Sequence, residues 1–301
     1  MNTSTSNLCD QIRTAFPHVV RKYALTGPDG VASGVYGCFR TTEDSITPHI
    51  IGGSVSKDYT PHKVEDICAF VEAGEAAFGT DCKVTCRWDG GETVIVQPSV
   101  ETRKSVFKTD TLWPRLKISG GYGGKASFNY DFSWMRDACL NMSQARIGRH
   151  GVSGSLRHTS GLYNHIPAIV AELANATSSF DRVIETAAGL AAQRIDMAQF
   201  IREVYPLDVE KATSRKIGAH ERMVESIMAR CAAESAKFAE PIEKIGGQWM
   251  ANAWIGWNAI QGYVQHDTRR QGSPDRVDRA LLALRDTKVQ TAWNIALETA
   301  V

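Results

Sequence analysis

Along the middle of the chain, apolar and polar positions alternate with a period of two. Val84, Cys86 and Trp88 are set against Lys83, Thr85 and Arg87, which predicts a strand with one apolar face. Asp89-Gly90-Gly91 follows, residues that tolerate the positive φ of a tight hairpin turn, and Thr93 to Gln97 return as a β-branched partner strand. The alternation then recurs. Leu116 and Ile118 stand against Arg115 and Lys117, Gly120-Gly121-Tyr122-Gly123-Gly124 makes a second turn, and Ala126, Phe128, Tyr130 and Phe132 alternate with Ser127, Asn129 and Asp131. Ser133 has the chemistry of a helix cap, so a helix is expected from Trp134.

On the N-terminal side the pattern predicts a short helix over residues 8–16, stopped by Pro17. Strands are expected over 22–25 and 35–40, around the turn Gly27-Pro28-Asp29-Gly30, and over 50–55. Val64, Ile67, Cys68, Val71 and Ala77 fall at helical spacing and predict a helix over 60–78, with Pro61 in its first turn. Residues 148–161 read as a glycine- and serine-rich loop, and from Leu162 onward the period is helical. Leu162, Ile166, Ile169, Val170 and Leu173 form one stripe. Longer helices are expected over 180–204 and 209–238, then an aromatic one carrying Trp249, Ala253, Trp257, Ile260 and Val264. A last helix runs from Ser273 through Leu297. The class these elements predict is α+β: an N-terminal domain over 1–150 with a central antiparallel β-hairpin sheet and packed helices, then an all-helical domain over 151–301.

Composition is that of an ordinary globular chain, 43% hydrophobic and 22% charged. The charge distribution says more. Residues 101–160 carry ten Lys and Arg against four Asp and Glu, a local net of +6 in a chain whose total is +1. A basic middle is a footprint for a polyanion, or a solvated sheet face. Seven cysteines, without repeated spacing or a CxxC pair, predict reduced thiols and a cytoplasmic protein. No apolar run is long enough to span a bilayer, and the N-terminus has no signal-peptide core, so no membrane partner is expected.

The candidate chemistry lies in that basic middle. Residues 119–126 (SGGYGGKA) fail as a phosphate loop, because Ser119 stands where glycine is needed, Ala126 where Ser or Thr is needed, and a strand follows instead of a helix. A glycine-rich hairpin tip carrying Tyr122 and Lys125, able to stack a base and meet a phosphate, is the alternative to a plain turn. Arg103, Lys104, Lys108, Arg115, Lys117, Lys125 and Arg136 lie in or beside the sheet with Trp113, Tyr122, Tyr130 and Trp134 among them. Such interleaving suits single-stranded nucleic acid: cations follow the backbone and rings stack the bases. Tyr130 and Trp134 also fit the core, while Arg115 and Lys117 are expected to form a charged stripe. Arg146, Arg149, Arg157 and His158 cluster near the domain junction, as an anion clamp or a loop-packing network. His158 is a possible general base, but no nucleophile or carboxylate is tied to it by spacing. His62, His165, His220 and His266 are isolated and neither HxxxH nor HExxH occurs, so neither metal nor cofactor is expected.

Several pieces spread over most of the chain resemble a family of phage- and plasmid-related proteins, domain of unknown function nine-three-two. They are Leu25-Thr26-Gly27, residues 55–61 (VSKDYTP), residues 136–142 (RDACLNM), Arg157-His158-Thr159 and residues 254–260 (WIGWNAI). Met142 replaces a glycine associated with the family helix. The resemblance implies a mobile-element setting, in a bacterial or phage-infected cell, and no activity. The order hairpin, hairpin, helix is also similar in architecture to single-strand annealing proteins of the Rad fifty-two and Red-beta type, which form rings or filaments on DNA without ATP.

The expected function is therefore that of a DNA-binding recombination protein which oligomerises and anneals single strands without ATP. Two rivals stand beside it. One is an enzyme, a nuclease or transferase using the Arg157-His158 loop; the other is a phage protein-binding module that engages a host complex through its tryptophan-bearing helices.

Overall fold

The computed structural model describes residues 7–42, 49–78, 82–88, 90–98, 103–124, 126–136, 153–174, 176–268 and 286–299. They form twelve strands and eight helices. The fold is α+β, with antiparallel hairpin sheets in the N-terminal half and mostly helices in the C-terminal half. Two compact units alternate along the chain. The first comprises Met1–Thr102, Pro114–Ser133 and Gly148–Phe180; the second comprises Arg103–Trp113, Trp134–Ile147 and Asp181–Val301.

In the first unit, helix α1 (Leu8–Ala15) is capped by the Asn7 side chain, which accepts from the Cys9 amide at 2.9 Å. Strands β1 (His18–Thr26), β2 (Ala32–Thr42) and β3 (His49–Val55) make a three-stranded antiparallel sheet in that order. The expected turn closes it, with Gly27 N donating to Val31 O at 2.8 Å. Helix α2 (Val64–Phe78) starts later than Thr60 and packs on a second sheet. That sheet is ordered β4 (Cys82–Trp88), β5 (Glu92–Pro98), β7 (Asp110–Ser119), β8 (Phe128–Arg136) and β9 (Ser153–Leu156). Phe70 of α2 meets Phe128 and Tyr130 at 5.4 and 5.3 Å between ring centroids, and Phe78 stacks on Phe132 at 5.1 Å. Each buried ring of this kind contributes about 1.5–3 kcal/mol by area alone. The helical stripe led by Leu162 is α3 (Leu162–Ala174).

The second unit contains β6 (Lys104–Phe107), which pairs with the first residues of β7. A small sheet is ordered β10 (Arg194–Asp196), β12 (Gln248–Asn252) and β11 (Glu243–Ile245). Helices α5 (Met197–Val204), α6 (Ser214–Lys237), α7 (Ala253–His266) and α8 (Thr287–Glu298) complete it. Helix α7 is buried nearly all round, and Trp257 meets Trp293 edge-on at 4.9 Å. Its centre is ionic. Arg136 Nε donates to Asp110 Oδ1 and Oδ2 at 2.9 and 2.6 Å, Arg136 Nη1 donates to Glu234 at 2.8 Å, and Trp254 Nε1 donates to Asp110 Oδ2 at 2.8 Å.

Four expectations are corrected. The chain stays extended through Arg136 where a helix was expected from Trp134, because β8 is an inner strand of the sheet. A helix over 180–204 is interrupted: α4 (Ala176–Ala191) ends where Asn252 Nδ2 donates to Ala191 O at 2.5 Å and Ala253 N to Gln193 O at 3.0 Å, and β10 follows. Trp249 is not on the aromatic helix. Gly246 and Gly247, with φ of 58° and 88°, make a tight hairpin turn that places Trp249 on β12. The stretch 151–301, expected to be all helical, carries four short strands among the described residues, β9 to β12.

Candidate functional site

Five polar side chains from five separate stretches of the first unit meet in one cluster. His18 opens β1, His62 precedes α2, Glu92 opens β5, Tyr122 sits in the glycine-rich loop after β7, and His158 follows β9. Glu92 is 1% exposed and is the centre of the cluster. Its Oε1 meets His18 Nε2 at 2.9 Å and accepts from the Tyr122 hydroxyl at 2.8 Å, and its Oε2 meets His62 Nε2 at 2.9 Å. His62 Nδ1 in turn lies 2.9 Å from His158 Nε2. Rings brace the cluster: Tyr122 stacks on His62 at 4.6 Å, Tyr59 on His158 at 4.9 Å, and Trp88 stands edge-on to His18 at 4.8 Å.

Glycine makes this packing possible. A Cβ on Gly120 would lie 2.2 Å from the His62 ring, and one on Gly52 would lie 2.4 Å from Gly123 N. The glycine-rich segment is thus no free hairpin tip. Its glycines let backbone approach a buried histidine and a neighbouring strand, and Tyr122, expected as an exposed base-stacking ring, is buried.

Burial alone would push the Glu92 carboxyl up, but hydrogen bonds from His18, His62 and Tyr122 outweigh it and hold the group at about 2. Burial, then the proximity of His62, pushes His158 down to about 4, and burial with the Glu92 charge raises the Tyr122 phenol. The consequence for stability has a definite sign. Between the ordinary histidine value of 6.5 and about 4, the unfolded chain takes up a proton that the native His158 refuses. Stability is therefore full above pH 6.5 and falls as pH drops to about 4, by roughly 3 kcal/mol. Urea midpoints measured across this range should fall accordingly, and His158→Gln should flatten the profile.

A cleft of about 960 Å³ opens beside the cluster, lined by His18, His62, Glu92 and Tyr122, by the cations Arg13, Arg21 and Lys63, and by a second carboxylate, Glu65. Val19, Arg21 and Thr41 belong both to this cleft and to one face of the β1–β2–β3 sheet. That face is open. The pairs Val19↔Thr41, Arg21↔Phe39, Tyr23↔Gly37 and Phe39↔Ile50 place these residues side by side. Val19 is 54%, Tyr23 43% and Ile50 57% exposed, and Tyr23 meets Phe39 edge-on at 5.6 Å. The opposite face packs inward, with Val20, Tyr36, Cys38 and Ile51 around Val55, Tyr59, Tyr122 and Trp88.

The residues expected to form a nucleic-acid face do not form one strip on the central sheet. Arg115 is 1% exposed, with Nη2 3.5 Å from Ser133 Oγ, so no solvent-facing stripe runs through Arg115 and Lys117. The reason is that β7 is an inner strand with both faces covered at that position. Lys117 is half-buried and Arg157 exposed, while Tyr122 and His158 join the buried cluster. In the second unit, Arg103, Lys104 and Lys108 are exposed and Trp113 is half-buried. Lys104 pairs with Asp181, Lys108 lies 2.8 Å from Glu240, and Arg136 is the buried centre already described. Lys125, Arg146 and Arg149 lie outside the described residues. His18, Glu92, Tyr23 and Phe39 were not anticipated. No spacing links the cluster members, whereas the exposed alternation Val19, Arg21, Tyr23 was there to be read.

Among the described residues, no group of three or more His, Cys, Asp or Glu is placed to hold a metal ion, and no helix is long and apolar enough to cross a membrane. The molecule is an α+β protein with a buried histidine–glutamate cluster behind an open, aromatic sheet face. It belongs to the family described as Domain of unknown function (DUF932), which it matches over residues 52–296. No curated protein and no solved structure matches it.

Proposed function

We propose that this protein binds single-stranded DNA along the open face of the β1–β2–β3 sheet and anneals complementary strands without ATP, as a ring or filament of copies, in a phage or mobile-element setting. One observation carries the reading: Tyr23, Phe39, Val19 and Ile50 form an uncovered apolar face with Arg21 among them. Bases stack on such rings regardless of sequence, and cations beside them follow the phosphates. Arg13 and Lys63 extend the positive charge into the adjoining cleft. This is the chemistry expected from the sequence, borne by different residues. Arg13 shares an exposed contact with Asp10 at 3.2 Å, weak enough to exchange for a phosphate.

Titration of a fluorescent single-stranded oligonucleotide tests the reading. Tyr23→Ala should cost about 1–3 kcal/mol of affinity without unfolding the protein, since the ring is largely exposed. If Arg13, Arg21 and Lys63 each neutralise one phosphate, the plot of log affinity against log salt should slope at about −2. Absence of binding at low salt would end the proposal. A second reading, an enzyme acting through His158, gains support from the His158–His62–Glu92 chain. His158→Ala would abolish such an activity and leave strand binding on the open face intact.

A further inference from the structure

The cleft beside the buried cluster is more than an edge of the open face. We infer that it is a seat for a single nucleotide, with the base inside and a phosphate monoester at the mouth, a site separate from the stacking rings Tyr23 and Phe39. Only its strand-end form, in which the nucleotide terminates a bound strand, rests on the open-face reading.

Size and lining carry the inference. At about 960 Å³ the cleft falls within the roughly 300–1,000 Å³ usual for small-molecule sites, which are mostly apolar with a few polar groups that fix orientation. Phe16, Pro17, Val19, Val20 and Val64 supply the apolar lining. The cluster side of the cleft is closed: the side chains of His62, Glu92 and His18 are 0%, 1% and 4% exposed. A backbone that followed the sheet face past Val19 and Thr41 would end against these buried groups. What enters is therefore one residue, not a continuing chain.

The polar groups fit a base. Glu92 has both oxygens occupied, Oε1 by His18 and Tyr122 and Oε2 by His62. The His18 ring lines the cleft with Nε2 taken by Glu92, and no described residue meets its Nδ1. A ring nitrogen pairs with an N–H or with an acceptor according to its own proton, and the edge of a nucleobase offers both.

The charges fit a terminal phosphate. Arg13 and Lys63 line the cleft, are exposed, and stand off the open face. Lys63 Nζ lies over the Tyr163 ring at 5.1 Å, and Arg13 makes the exposed contact with Asp10. A phosphate monoester carries more charge than an internal diester and offers three acceptor oxygens, so it can engage both cations. Glu65, exposed on the same cleft, opposes them.

Calorimetric titration with thymidine monophosphate, thymidine and inorganic phosphate tests the seat. The nucleotide should bind at least about tenfold tighter than either half, because each half forgoes the other's contacts. Lys63→Glu should weaken it by about tenfold and Glu65→Gln should tighten it several-fold, in protein that still folds, since both positions are exposed. Oligonucleotides with a phosphate at the 5′ end, the 3′ end or neither separate the sources. A gain from the terminal phosphate that Lys63→Glu abolishes identifies a strand end as the occupant; binding of the monophosphate alone identifies a free nucleotide. Inorganic phosphate bound as tightly as the nucleotide, or nucleotide affinity indifferent to Lys63→Glu, overturns the inference. So does a lack of nucleotide binding together with oligonucleotide binding indifferent to end phosphates, a result that leaves the open-face reading standing if Tyr23→Ala still weakens the oligonucleotide. Nucleotide binding without oligonucleotide binding would keep the seat and end that reading.

Discussion

Asp110→Ala is expected to remove about 3–5 kcal/mol of stability, because it leaves the Arg136 guanidinium charged and buried without its closest partner. Both side chains are fully buried, so water cannot replace the lost acceptor. The Trp254 indole N–H loses its partner in the same substitution. Glu234, 2.8 Å from Arg136 Nη1 and 12% exposed, is the one remaining carboxylate among the pairs described, and it lies at the other end of the guanidinium. Urea unfolding followed by tryptophan fluorescence measures the loss. Replacing Asp110 and Arg136 together by Leu and Met should cost much less than Asp110→Ala, since no fully buried charge is then stranded and the Glu234 carboxylate, 12% exposed, keeps contact with water. A loss below about 1 kcal/mol for Asp110→Ala would show that the ionic centre is not what holds α7 and β7 in the second unit.

Glu92→Ala should be at least as damaging, by about 3–5 kcal/mol, for a related reason. Three donors, on His18, His62 and Tyr122, share that carboxylate. Its removal leaves them in a space reached by little solvent. The acid limb of the stability profile should change with it. In the native protein Glu92 sits at about 2 against an ordinary 4.5, so its contribution is full above 4.5 and is lost as pH falls toward 2. The variant should lack that limb. A variant as stable as the parent at pH 7, with the same acid profile, would show that the cluster is incidental to the fold.

The elements set by local pattern were legible in the sequence. The hairpin of β4 and β5 follows from its alternation and from Asp89-Gly90-Gly91, and β1 and β2 follow from Gly27-Pro28-Asp29-Gly30. Helices α1, α2 and α3 follow from their apolar spacing. What escaped depended on partners distant in the chain. The end of α4 is fixed by Asn252, some sixty residues away, and no helical pattern in 180–204 announces it. Arg115 reads as a solvent-facing residue until β7 is known to be covered on both faces. The cluster was hidden most deeply, because His18, His62, Glu92, Tyr122 and His158 each look isolated and only the tertiary fold joins them. The open face was hidden for a different reason. An exposed Val19-x-Arg21-x-Tyr23 strand resembles any half-buried strand unless one asks which of its faces is covered.

Photo-crosslinking of a single-stranded oligonucleotide carrying a halogenated uridine, with the linked peptides identified by mass spectrometry, puts the binding surface to the most direct test. Crosslinks should fall on Tyr23 and Phe39 of the β1–β2 hairpin and disappear in Tyr23→Ala. Crosslinks confined to residues 103–117, to the loop at Arg157, or to the exposed Trp249 hairpin would contradict a nucleic-acid face on the first sheet, as would no crosslink at all.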